Sequence, residues 1–233
     1  MSAVVYLKQT SITSLLRHWV SLAVSPEALT WLDNKREQQI KGGELGREFF
    51  TAFSAVSRYT GKQQLKLNAK DLKAAAVMQV GWCPGHWSVD QAARTLLVLA
   101  LPQDDREKYL HALEQVFTTA DGGELVALYQ ALPLLPYPEQ LQKRAAEGVR
   151  SNMIAVFDAI ALQNSYPAQY FNTPAWNQMV LKALFIGRPL HLIQGLELRA
   201  NRDLAKMLIN YAHERHSANR PVPAELWQLV NNS

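Results

Sequence analysis

Along nearly the whole chain, apolar residues recur at three- and four-residue intervals, and no alternating β-branched run argues for a sheet. A first helix is expected over Thr10–Val24, with Ile12, Leu15, Leu16, Trp19, Val20 and Ala23 on its stripe. Ser25-Pro26-Glu27 supplies an N-cap, a first-turn proline and an early acid for a second helix, which Gly42-Gly43 follows. A third runs from about Glu44 to Tyr59 with Leu45, Phe49, Phe53 and Val56 on one side, and Gly61–Leu67 reads as a flexible polar connector. Asn68 caps a short helix through Val80, and Gly81–Trp87 forms a compact turn. Ser88-Val89-Asp90-Gln91 reads as a capping box launching a helix to Leu101, on which Asp90 and Arg94 stand in the favourable order for an i,i+4 ion pair. Asp104–Thr119 follows as its antiparallel partner. Asp121-Gly122-Gly123 then separates this from a helix ending in the Pro133/Pro136/Pro138 cluster. Glu139–Gly148, Ser151–Asn164, Pro174–Ile186, Arg202–His216 and a short stretch after Pro223 complete the set, with an irregular Gly187–Ala200 segment between.

The helix Pro174–Ile186 is apolar around nearly its whole circumference, so it is expected at the centre of the fold or as one wall of a pocket. Thr173 suits its N-cap, Pro174 its first position and Gly187 a left-handed C-terminal residue. Only Asn177, Gln178 and Lys182 interrupt the apolar surface, and polar groups carried into an interior need partners or line a cavity. Helices joined mostly by short turns predict an all-α fold. Its form is an array of antiparallel helical hairpins, either an irregular HEAT-like solenoid or a compact multi-helix bundle. No linker composition interrupts residues 1–233, which are read as a single domain.

Composition adds limits. The longest apolar run, Leu96–Leu101, is far shorter than the ~20 residues of a membrane span, and the N-terminus lacks a signal-peptide pattern, so a cytoplasmic protein is expected. The single cysteine, Cys83, excludes an internal disulfide and a multi-cysteine metal site. Cys83 and His86 are therefore read as parts of a structural turn, and neither a metal nor another cofactor is expected. Of the net charge of +4, the window Arg188–Arg220 carries +3 together with three of the six histidines, which favours an anionic partner. With no Lys/Arg run and no nucleic-acid motif, a nucleic-acid role is not expected.

Candidate chemistry concentrates in the same window. His213-Glu214-Arg215-His216 has the wrong spacing for a zinc-protease helix. Arg215 falls within about 20° of Leu204 on the apolar stripe of its helix, the position of a guanidinium that caps carbonyls, meets a buried acid or binds an anion. Lys182 is the one candidate amine nucleophile; the alternatives are snorkelling or pairing with an acid. Asn177 reads as a buried amide tying the helix to a loop or touching ligand. His191 sits mid-loop as an acid/base or anion donor, or as a histidine satisfying loop carbonyls.

The strings Tyr166-Pro167-x-x-Tyr170-Phe171, Ala175-Trp176-Asn177-Gln178-Met179-Val180-Leu181-Lys182-Ala183, Pro189-Leu190-His191, Arg199-Ala200-Asn201 and Tyr211-Ala212-His213-Glu214-Arg215 closely resemble the EboA family of metabolite-traffic proteins, most tightly over 166–230. The resemblance implies a component of a bacterial gene cluster that moves secondary-metabolite precursors from cytoplasm to periplasm. Other members of the cluster look like a UbiA-type membrane prenyltransferase and metal-dependent hydrolase- or isomerase-like enzymes, which become the expected protein partners. The leading expectation is a non-catalytic binding or scaffold protein holding an anionic or aromatic small metabolite against Asn177, Lys182, His191, Arg199, His213 and Arg215. One rival is an enzyme using His191 or His213 as acid/base and Arg199 as anion clamp. The other is a purely helical protein–protein adaptor.

Overall fold

The computed structural model describes residues 3–42 and 45–231. Among them the chain is all-α: thirteen α-helices, four short 3-10 turns and one isolated bridge between Gln64 and Ser88. It divides into two compact units, Met1–Leu141 and Gln142–Ser233. At the junction a 3-10 turn, Pro138–Leu141, runs straight into a helix starting at Gln142. No linker composition marks that step, which is why the sequence reads as uninterrupted there.

The first unit contains α1 (Ala3–Ser21), α2 (Pro26–Gly42), α3 (Arg47–Thr60), α4 (Ala69–Met78), α5 (Val89–Leu99), α6 (Arg106–Thr119) and α7 (Gly122–Ala131). Local chemistry starts most of them. Ser25 Oγ accepts from the Ala28 amide at the head of α2, and Asn68 and Asp71 form a reciprocal capping box on α4. Gln91 Oε1 accepts from the Ser88 amide at the start of α5. The helix expected from Asp104 starts at Arg106, capped by Asp105, and Asp121 caps α7 so that Gly122 and Gly123 are its first residues instead of a spacer. The expected break at Gly42-Gly43 and helix start at Glu44 fall partly outside the described residues.

At the centre of this unit is α5, packed against α1, α2, α3 and α7. Every one of its residues except Gln91 is buried, Asp90 and Arg94 included. Their 2.5 Å ion pair lets a helix with two charges lie in the interior, since each supplies the other's counter-charge and Ser88 Oγ donates to the same carboxylate. The connector 61–67 is pinned: Leu65 N–H donates to Trp87 O at 2.8 Å and Val89 N–H to Gln63 O at 2.8 Å. The Trp82 and Trp87 side chains of the following turn are buried, and Trp82 lies 5.4 Å from Trp19.

The second unit contains α8 (Gln142–Arg150), α9 (Ile154–Ala161), α10 (Tyr166–Tyr170), α11 (Thr173–Phe185), α12 (Arg202–Ser217) and α13 (Ala224–Asn231). Asn172, not Thr173, caps α11, its Oδ1 accepting from the Ala175 amide at 2.9 Å. The C-terminus closes as expected from Gly187. At φ 67 it lets its own N–H reach Leu184 O and the Arg188 N–H reach Ala183 O, the double bond of a Schellman motif. The helix is not enclosed on all sides: Trp176, Asn177, Met179, Val180, Ala183 and Leu184 are buried, whereas Phe185 is 68% exposed. The more fully enclosed helix is α5, where only Gln91 is not buried.

Candidate functional site

In the second unit, the polar residues of α11 are held by partners far along the chain. Asn177, buried on α11, donates Nδ2 to Asn201 Oδ1 at 3.1 Å and accepts from Asn201 Nδ2 at 2.9 Å. Asn201 is also the N-cap of α12, accepting from the Leu204 amide at 3.0 Å and donating to Arg199 O at 3.0 Å. Both donors and both acceptor positions of Asn201 are thereby used. This amide pair fixes the angle between α11 and the start of α12.

Arg199 lies beside it. Its guanidinium is 4.7 Å above the Trp176 ring, and Nη1 donates to the carbonyls of Pro167 and Ala168 at 2.9 and 3.3 Å. Burial lowers its pKa from the usual guanidinium value, yet Arg stays charged at any physiological pH. The approach of this loop to α10 is close: at Gly195 (φ 75) an added Cβ would lie 2.9 Å from Ala168 Cβ. Glycine is required there both for the backbone angle and for the space.

Lys182 points elsewhere. Five residues separate it from Asn177, which is about 140° around the helix. Its Nζ donates to Val149 O at 2.6 Å and Ser151 O at 2.7 Å, where α8 ends, and sits 5.3 Å from the Phe157 ring centre. The partners are helix-end carbonyls and not an acid, the arrangement a cation takes up at the negative end of a helix. Burial lowers the ammonium's pKa from its ordinary value. Because removing the amine leaves two carbonyls without their donor and forfeits the Phe157 contact but strands no acid, Lys182→Met is expected to cost about 1–3 kcal/mol and leave ligand binding untouched. Urea denaturation beside a binding assay checks it, and normal stability with lost binding would reverse the assignment.

Arg215 is also held by its own unit: Nε donates to Pro221 O, in the connection after α12, at 2.6 Å and Nη1 to the Tyr211 hydroxyl at 3.2 Å. His191 lies exposed on the 3-10 turn Leu190–Leu192, and His213 lies exposed on α12, away from the buried Leu204, Leu208 and Tyr211. The structure thus brings Asn177 and Arg199 together through Asn201. Arg215 lies fourteen residues along α12 from Asn201, about 20 Å at the helical rise. Two further residues belong to this framework. Neither stands out in the sequence: the one local signal at Asn201 is an Asn just before a helix start, and Asp158 accepts a bidentate pair from Arg188 at 2.8 and 2.6 Å across a separation of 30 residues, for which the sequence carries no local signal.

A concave feature lined by none of these residues lies in the first unit. It is an open groove of about 680 Å³ along α2 and α3, with Trp31, Tyr59, Lys35 and Arg47 among its lining residues. Its spacing was present in the sequence, Trp31 and Lys35 at i,i+4 and Glu48, Ala52, Ala55 and Tyr59 at helical intervals. That face of α3 adjoins the core stripe, and nothing local distinguishes a groove wall from a core edge.

Fold and geometry together define an all-α protein with a polar framework that binds its own helix ends, and no helix among the described residues is long and apolar enough to cross a membrane. The family model described as metabolite traffic protein EboA matches residues 12–231, and the chain belongs to that family. The match extends well beyond the segment 166–230 on which the resemblance was clearest. No curated protein and no solved structure matches significantly.

Proposed function

We propose that this metabolite traffic protein is a non-catalytic binding and scaffold component of a secondary-metabolite precursor pathway. It holds an anionic or aromatic metabolite, or a partner protein of the same pathway, without transforming it. What supports this reading is the use made of Lys182, Arg199 and Arg215: each donates to backbone carbonyls of its own unit. Cations spent in this way stiffen a scaffold, whereas an acid/base or anion-clamp role needs them free to face a substrate. A cytoplasmic location, action of the two units as one domain, and contact with a membrane prenyltransferase belong to the same proposal.

The test is purification of the full chain from cells carrying the intact pathway, followed by native mass spectrometry and metabolite analysis. A bound pathway metabolite or protein partner, recovered equally with His191→Ala and His213→Ala, is the expected result. Chemical conversion of that metabolite by the purified protein, abolished by either histidine variant, would establish an enzyme instead.

A further inference from the structure

We propose that the groove between α2 and α3 is the binding site for a planar aromatic acid carrying one negative charge, an inference resting on the reading of the protein as a metabolite carrier. Trp31 and Tyr59, both in the lining, are stacked face to face, with ring centres 4.0 Å apart and an interplanar angle of 8°. Tyr59 is 50% exposed, so the pair lies in solvent contact and not in the core. Each ring covers one face of the other, which leaves an outer face to receive a third ring by stacking. Ala52 and Ala55 line the groove beside this pair, and their short side chains leave the depth that a flat molecule needs.

Charged side chains complete the lining. Lys35 is one helical turn beyond Trp31 on the same side of α2, and its only hydrogen-bond partner among the described residues is the neutral Gln38 Oε1 at 3.0 Å. Arg47 also lines the groove and makes no ion pair among the described residues. Glu48 stands beside them, so the local balance is a single positive charge. That balance suits one carboxylate and disfavours a dianion, which Glu48 repels.

An adjoining recess bears on where the acid sits. A recess of about 150 Å³ shares Lys35, Glu48 and Ala52 with the groove and is also lined by Gln39. Gln39 is 7% exposed, and its amide nitrogen has no acceptor among the described residues. A buried donor without an acceptor is costly to maintain, and a ligand carboxylate in the recess supplies the acceptor. Trp31 is four residues from Lys35, about 6 Å along the helix, which sets the separation of ring and acid in the ligand, and Gln39 follows Lys35 by one further turn.

Calorimetric titration of the full chain with 2-naphthylacetate tests this, with 2-naphthaleneethanol and cyclohexylacetate as controls that lack the charge and the aromatic ring. Saturable one-to-one binding is expected, weaker by roughly tenfold for each control and for Lys35→Glu and Ala55→Leu. Both positions are partly solvent-exposed, and circular dichroism confirms folding; should Ala55→Leu unfold, Lys35→Glu carries the test alone. Equal binding of the alcohol and the acid, wild-type affinity in the folded variants, or no binding of 2-naphthylacetate overturns the groove. The metabolite recovered from cells is then titrated into the same variants. If it binds them as tightly as wild type, the groove is overturned and the carrier reading stands, whereas failure to recover any metabolite or partner counts against the carrier reading alone.

Discussion

Replacement of Trp176 by Ala is expected to destabilise the protein by about 3–5 kcal/mol, the cost of removing a large aromatic side chain from a closed interior. Trp176 has no exposed surface and forms the platform for the Arg199 guanidinium, so the substitution opens a cavity and unseats a cation together. Against the roughly 5–15 kcal/mol of a typical domain, that leaves the second unit poorly populated in its folded form. Trp176→Phe separates volume from polarity. The indole nitrogen has no hydrogen-bond acceptor among the described residues, so Phe forfeits area alone and should cost about 1–2 kcal/mol. Urea denaturation followed by circular dichroism measures both, and a Trp176→Ala protein within about 1 kcal/mol of wild type would refute the assigned packing.

Breaking the α5 ion pair on one side should be as damaging. Asp90 and Arg94 are 6% and 4% exposed, and Arg94 also lies 5.7 Å from the Phe53 ring centre. Arg94→Met keeps most of the volume but leaves a buried carboxylate whose remaining side-chain partner is the Ser88 hydroxyl, at an expected cost of about 3–5 kcal/mol. The double variant Asp90→Asn/Arg94→Met removes both charges and should recover most of that loss, because it is the unpaired charge, more than the missing contact, that is penalised. Simple additivity of the two single substitutions in denaturation would show that the pair is not coupled, contrary to the geometry.

These two sites show different degrees of legibility. The pairing of Asp90 with Arg94 follows from their spacing, but their burial does not. Two charges on a helix read as a solvent-facing side, and only their mutual neutralisation lets α5 become the centre of its unit. The apolar circumference of α11 was equally plain, yet Phe185 at its end is exposed. The family itself was readable from the strings around Trp176 and Tyr166, which are specific in a way that helical periodicity is not.

Helix by helix, the sequence alone determined what depends on neighbours within four or so residues. The caps at Ser25, Asn68 and Gly187, the irregularity of 187–200 and the all-α class follow from hydrogen-bonding and steric preferences that act within one turn. Even there the competition is close, and Asn172 takes the cap that Thr173 was expected to hold because the two differ little in capping strength. Tertiary structure decided the rest: Lys182 finds carbonyls more than 30 residues away, Asn177 meets Asn201 at a separation of 24, and Trp31 of one helix stacks on Tyr59 of the next. Apolar burial is non-directional, so many pairings of helix faces satisfy the same periodicity. Which polar groups end up facing one another is settled only when the whole set of faces packs at once.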